Sequence, residues 1–350
     1  MGAEPTLMRR EIGEIPATVE RILAGSADID AVATAVRRFQ PRWVTIAARG
    51  TSDHAAVYAQ YLIEHQLGIP TGLAKPSVTT IYEGQLDWQG VLVLAISQSG
   101  RSPDIVAVTA AARKGGALTV AITNEDDTPL AAAADLALRC HAGPEMAVPA
   151  TKTYVADLAV LAAVVGALRP DRLPRGELEG MPASLRAVEA ATDAWLDGAA
   201  AQLDAFASAD RALVVSRGYN LATALELSLK LKETCGLFAE PYSTADFAHG
   251  PLILAGPGVP ALGIRPDGAV GALVDQAMDT IEARGGSALR IGGREASRWR
   301  DALALPGDLP ETLSPLAFAV AGQLVVESVA RRRGLDPDAP PGLNKVTLTR

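Results

Sequence analysis

Three groups of residues in this 350-residue chain have types and spacing that could do chemistry. The first is the run Ser97-Gln98-Ser99-Gly100-Arg101-Ser102-Pro103, which follows the apolar stretch Val91–Ile96. Ser102 suits an N-cap and Pro103 a first helical position, so the run opens a helix. Hydroxyls and open backbone N–H groups at a helix start favour an anion, a phosphate in particular. Arg49-Gly50-Thr51-Ser52-Asp53 follows Trp43–Ala48 in the same way, and the two loops could converge on one phosphate. Either loop alone reads equally well as ordinary helix capping. In the second group Glu226, Lys230 and Glu233 fall at i, i+4 and i+7, on one helix face. A surface stripe of ion pairs has the same spacing. Downstream lies His249-Gly250-Pro251, a histidine at a turn with a pKa suited to proton transfer. The third is Lys345, in Gly-Leu-Asn-Lys-Val-Thr near the chain end, which composition alone would leave as a solvated terminal lysine. None of the 4 histidines shares a metal-type spacing with another His or Cys, so no zinc site is expected. Cys140 and Cys235 read as buried small hydrophobes.

These residues need a scaffold, and the length suggests about two domains. Apolar residues are 49% and aromatics only 4%, so the cores must be Ala, Val, Leu and Ile, a mix that suits an α/β protein. A formal charge of −8 is the reverse of a nucleic-acid footprint. Two cysteines in no C-x-x-C pair make no disulfide framework and fit a reducing cytosol. The first ten residues carry two arginines and no apolar stretch, unlike a secretory signal. The uncharged helical runs Leu158–Leu168 and Thr312–Val326 fall short of the roughly 20 residues a membrane span needs. A cytoplasmic protein without membrane or nucleic-acid partners is expected.

An internal repeat organises the chain. Trp43–Gly50 aligns with Arg211–Gly218, Val91–Ile96 with Val259–Ile264, and Gly115–Ile122 with Gly285–Gly292. Strand-length apolar runs alternate with helical patterns in each copy, the signature of βαβ units and a parallel sheet covered on both faces. The expected fold is α/β: two tandem domains, each a three-layer sheet flanked by helices, with an extended C-terminal tail. The expected boundaries are an N-terminal helix in 1–30, a first domain in 31–170, a linker helix in 171–205, a second domain in 206–335 and a tail in 336–350. The repeat is also an internal control. Where the first copy has Ser97–Gly100 the second has Arg265-Pro266-Asp267-Gly268, and for Thr51-Ser52 it has Tyr219-Asn220. An aspartate and a proline disfavour phosphate there, so one phosphate site per chain is expected, in the first copy.

Together, S-Q-S-G-x-S, R-G-T-S, L-K-L-K-E, H-G-P, the closing N-K-V-T and the Glu-Ile-x-Glu-x-Pro beginning at Glu11 resemble the double-SIS sugar isomerase family, in particular the isomerase domain of glucosamine-6-phosphate synthase. The resemblance implies that Thr51, Ser52, Ser97, Gln98, Ser99 and Ser102 hold the phosphate and sugar hydroxyls of a phosphorylated hexose or amino sugar, with Val148 and Ala150 also at the sugar. It implies Glu233 as the base moving a proton between C1 and C2, supported by Glu226 and Lys230. His249 would come from the second subunit of a homodimer with shared sites and open the sugar ring, and Lys345 would meet the open-chain carbonyl, with scope for a Schiff base. No cofactor or metal is implied, since an aldose–ketose shift needs a base and an electrophile at the carbonyl. The family enzyme's glutaminase domain has no counterpart in this sequence, so glutamine-dependent synthesis is not expected of this chain alone. Val148-Pro149-Ala150-Thr151-Lys152 departs from the family's V-A-S-T-K and loses one hydroxyl. The reading is a deaminase/isomerase converting glucosamine 6-phosphate to fructose 6-phosphate and ammonia. The alternatives are a fructosamine-6-phosphate deglycase, a plain phosphosugar isomerase, or a non-catalytic sugar-phosphate sensor.

Overall fold

The computed structural model describes residues 4–299 and 301–345. Among the described residues, ten strands form two parallel five-stranded sheets. The first sheet contains β1 (Trp43–Ala47), β2 (Thr71–Leu73), β3 (Val91–Ile96), β4 (Leu118–Thr123) and β5 (Leu136–Arg139), in the order β2-β1-β3-β4-β5. The second contains β6 (Arg211–Ser216), β7 (Phe238–Ser243), β8 (Ala261–Arg265), β9 (Ala288–Gly292) and β10 (Leu303–Ala304), in the order β10-β9-β8-β6-β7. Counted within each copy the two orders are the same, so the repeat extends to topology. All pairings are parallel, with Trp43 opposite Val91 in one sheet and Leu213 opposite Ala261 in the other. Central strands of such sheets are covered on both faces, which is why Val91–Ile96 and Arg211–Ser216 are nearly continuous apolar runs.

Helices supply the outer layers. In the first domain Ile105, Val108 and Ala112 pack with Val93, Ala95 and Ala121. In the second, Val274, Met278 and Ile281 pack with Leu213, Val215 and Ala261. The helix Lys152–Leu168 is buried from Lys152 through Gly166, and Ser314–Arg332 is buried along most of its length. Both are core helices, and among the described residues no helix is long and apolar enough to cross a membrane.

The segment read as one N-terminal helix is three, Leu7–Gly13, Ile15–Ala24 and Ser26–Phe39, and the single linker helix is two, Arg175–Leu196 and Ala200–Ala207. The chain also forms two compact units that are not simple halves. One comprises the residues up to Pro16, Met146–Thr151 and Pro182–Lys345, and the other Ala17–Glu145 and Lys152–Met181. Hydrogen bonds explain why the first helix joins the C-terminal unit. The Asp338 carboxylate accepts the backbone N–H groups of Leu7 and Met8 at 2.7 and 2.8 Å, Thr6 donates to Glu327 at 3.0 Å, and Arg9 pairs with Asp193. Asp338 thus satisfies two of the N–H groups that a helix start leaves open. No helix or strand occurs in residues 336–345, and Val346–Arg350 lie outside the described residues.

Candidate functional site

In a sheet of order 2-1-3-4-5 the crossovers leave the central strand in opposite directions, and a crevice opens outside the carboxyl ends of the strands at that point. In the first domain the loops following β1 and β3 flank it. They are Arg49–Thr51 and Ser97–Ser102, the two loops singled out in the sequence.

The β3 loop is tightly built. Gly100 donates its N–H to Ser97 O at 3.0 Å, and its φ of +61° is one that L residues rarely adopt. A Cβ at Gly100 would also overlap the Thr128 side chain. The loop after β4 fixes it from the side, with Asn124 N donating to Gln98 O at 3.0 Å and Leu130 N to Gly100 O at 3.1 Å. Ser102 is the N-cap of Pro103–Lys114, as expected, but its hydroxyl makes no capping bond and lies 3.4 Å from that of Ser97. Ordinary capping therefore does not account for Ser102. Ser99 is buried and accepts a hydrogen bond from the Arg101 N–H at 3.4 Å, and Gln98 is half-buried. Behind the loop, buried Asp104 receives the Arg49 guanidinium at 2.8 Å, an ion pair that ties the β1 loop to the β3 helix.

In the β1 loop, Thr51 opens the helix Thr51–Leu67 and is half-buried. Ser52 is buried and donates to Asp157 at 3.2 Å, so its outward lone pairs can accept a hydrogen bond. Asp157 also accepts from the Cys140 thiol at 3.2 Å. Burial, and then the Asp157 charge, push the Cys140 pKa well above the usual thiol range. Cys235 is buried too and is pushed up to about 11, mainly by burial. The small-hydrophobe reading of both cysteines holds.

The second copy fills the equivalent places with its own side chains. Arg265, at the end of β8, is buried and bonds Asp267 at 2.6 Å, Asp275 at 3.2 Å and Glu295. Asn220 is fully buried, donating to Ser314 at 2.7 Å and accepting from Thr223 at 3.0 Å. With Arg298 also on Asp275, the place a phosphate would take is filled by the protein's own ion pairs.

The acidic cluster lies on the helix Leu221–Cys235, which Gly236 ends in a left-handed turn at φ +58°. It is not the surface stripe that its spacing also allowed, because Glu226 is 0% and Lys230 1% exposed. The helix packs on Ser314–Arg332 so closely that a Cβ at Gly322 would run into Leu227. Lys230 Nζ is 3.3 Å from Glu226 Oε1 and 2.6 Å from Glu233 Oε2. Burial draws the Lys230 ammonium down and the two carboxylates more than offset it, so its pKa is raised. Glu233 alone of the three reaches solvent, its side chain 24% exposed. The arrangement is a carboxylate held by a buried cation, with one face open to a reactant.

His249 is exposed, at the C-cap of Thr244–Ala248, and Gly250 follows at φ +136°. Lys345 is not solvated: it is half-buried and donates to Ala147 O at 2.8 Å, beside Val148 and Ala150. Val148 N in turn donates to Asp338 O at 2.8 Å. The structure therefore brings together Glu226, Lys230 and Glu233, then Ser97 and Ser102, and then Lys345 and the Val148–Ala150 segment. Sequence reasoning missed three carboxylates that hold these groups in place, Asp104, Asp157 and Glu11. Only Glu11 left a signal, as part of Glu-Ile-x-Glu-x-Pro.

A model of the SIS domain matches residues 39–167 and 205–302. An isomerizing glutamine–fructose-6-phosphate aminotransferase of Thermococcus kodakarensis is 34% identical over 358 residues, covering 97% of this chain and 58% of its own length. Its counterpart in Methanothermobacter thermautotrophicus is 33% identical over 350 residues, covering 98% and 58%. The chain spans 58% of the length of these curated relatives. Among solved structures, a Silicibacter pomeroyi DSS-3 protein provisionally assigned as a phosphosugar isomerase has a TM-score of 0.86 at 36% identity, covering 95% of this chain and all of its own. The C-terminal domain of glucosamine-fructose-6-phosphate aminotransferase from Francisella tularensis shares the fold, with a TM-score of 0.85 at 24% identity and coverage of 97% and 99%.

Proposed function

Because the chain belongs to the SIS domain family, we propose that it is a phosphosugar enzyme converting glucosamine 6-phosphate to fructose 6-phosphate and ammonia. The observation that carries this reading is Glu233, a carboxylate partly open to solvent and fixed by a lysine that is itself wholly buried. A base that must meet a carbon acid needs fixed placement and an open face, and Glu233 has both.

The phosphate is held at the first-domain loops by Ser97, Ser99, Ser102, Thr51 and Gln98. Ser52 accepts from a sugar hydroxyl, since its own proton is committed to Asp157. The backbone at Val148 and Ala150 meets the sugar. His249 of the partner subunit moves the proton that opens the ring, which makes the working form a homodimer. Glu233 takes the C2 proton of the open aldehyde as O1 gains one. Once its own proton has exchanged with solvent, Glu233 delivers one to C1, while the amine nitrogen gives up a proton and an imine is left at C2. Lys345 Nζ adds to that carbon and passes a proton to the departing nitrogen so that ammonia leaves, and water hydrolyses the resulting Schiff base to the ketone and frees the lysine. Every atom is supplied by substrate and water, and the setting is cytoplasmic. The relatives named as glutamine–fructose-6-phosphate aminotransferases support a hexose 6-phosphate as the sugar.

The test is ammonia release across amino-sugar 6-phosphates and fructosamine 6-phosphates, together with subunit mixing. Glucosamine 6-phosphate is expected to release ammonia fastest, and a mixture of Glu233→Gln and His249→Ala chains is expected to regain part of the activity each lacks. Faster release from fructosamine 6-phosphate would make the chain a deglycase. Tight phosphosugar binding with no turnover of any substrate would make it a sensor.

A further inference from the structure

The segment Met146–Thr151 belongs to the compact unit that also contains the first helix and the tail, although its chain neighbours on both sides do not. It is held there group by group. Glu11, only 4% exposed, accepts the N–H groups of Met146 and Ala147 through its carboxylate. The next peptide is gripped at both ends from the tail: Val148 N donates to Asp338 O at 2.8 Å, and Ala147 O accepts from Lys345 Nζ at 2.8 Å. Thr151 O accepts from buried Gln323 at 3.2 Å. Asp338 has a second task, since its side chain caps the helix that carries Glu11. A buried carboxylate is costly unless hydrogen bonds repay its lost hydration, and Glu11 directs that charge at main chain.

We propose that Glu11 and Asp338 are positioning residues, which together fix the Met146–Ala150 backbone and seat Lys345 upon it. Glu11 sets the plane of two peptides, Asp338 links that strip to the tail, and Ala147 O receives the lysine. The role assigned to Lys345 rests on the functional reading above; the backbone clamp does not.

The experiment uses the full chain with Glu11→Ala and Glu11→Gln. Amide hydrogen exchange of the peptide covering 144–151 reads the clamp, and borohydride trapping of Lys345 by fructose 6-phosphate reads the seating. Glu11→Ala is expected to speed exchange at Met146 and Ala147 about tenfold and to slow trapping by a similar factor, the loss of roughly one charge-assisted hydrogen bond. Fructose 6-phosphate affinity should stay within about threefold, because the phosphate loops are intact. Glu11→Gln, which keeps an acceptor oxygen, is expected to fall between, and it carries the test if Glu11→Ala does not fold. Wild-type exchange and trapping in Glu11→Ala, or in Glu11→Gln should that be the folded variant, would overturn the proposal. If wild type itself is never trapped, the functional reading of Lys345 fails, and the exchange result alone decides the clamp.

Discussion

Replacing Lys230 with methionine removes the cation from a cluster in which Glu226 is 0% exposed. Methionine approximates the lysine stem, so the chief change is an orphaned buried carboxylate. Breaking a buried ion pair by removing one partner costs about 3–5 kcal/mol, and at about 2–4 °C per kcal/mol for a unit of 150–250 residues the melting temperature falls by roughly 6–20 °C. Glu226→Gln/Lys230→Met removes both charges and should recover more than half of that loss, the sign expected when desolvation rather than packing sets the cost. The assay is urea unfolding of both single variants and the double variant, read as a double-mutant cycle. The pH dependence has a definite sign. The raised Lys230 pKa means its protonation stabilises the fold below the ordinary lysine value, and that contribution is lost as pH rises through the elevated one. Wild type should therefore lose stability above about pH 10.4 more steeply than the double variant. A Lys230→Met chain as stable as wild type, or a double variant no better than the single, would refute the reasoning.

Other outcomes follow from the same geometry. Ser97→Ala and Ser99→Ala should each raise KM for the phosphosugar by the equivalent of about 1–3 kcal/mol, whereas Asp267→Ala in the second copy should leave KM unchanged, as steady-state kinetics would show. Gly100→Ala must accept a positive φ and a clash with Thr128, so melting temperature and phosphosugar affinity should both fall, with a stability loss of about 1–3 kcal/mol. Lys345→Ala should abolish turnover while calorimetry still detects phosphosugar binding. Cys140 and Cys235, with thiols pushed up by burial, should resist Ellman's reagent at neutral pH until the chain unfolds.

Much of this architecture was legible because parallel strands buried on both faces announce themselves as apolar runs. The runs beginning at Trp43, Val91 and Arg211 were readable in this way, and the repeat among them revealed two copies. Strands β2, at Thr71–Leu73, and β10, at Leu303–Ala304, are too short to show a period. Strand β7 carries Pro241, tolerated because β7 lies at the sheet edge, where no second neighbour needs its N–H. At the site, loop chemistry is local and was readable from Ser97 to Pro103. The burial of Lys230 was not, because spacing along one helix is the same whether that face meets water or another helix. The contact that decides it comes from Ser314–Arg332, far along the chain. Glu11 and Met146 are likewise 135 residues apart, and no local pattern links a carboxylate to main-chain N–H groups at that separation.

The central claim is that Glu233 moves a proton between C1 and C2 of a phosphorylated sugar. Proton NMR of glucosamine 6-phosphate with the enzyme in D2O tests it most directly. The account predicts that wild type consumes the C2–H signal and yields fructose 6-phosphate with deuterium at C1 and free ammonia, while Glu233→Gln, folded and still binding phosphosugar, does neither. No exchange or conversion by wild type, or an equal rate in the variant, would contradict it.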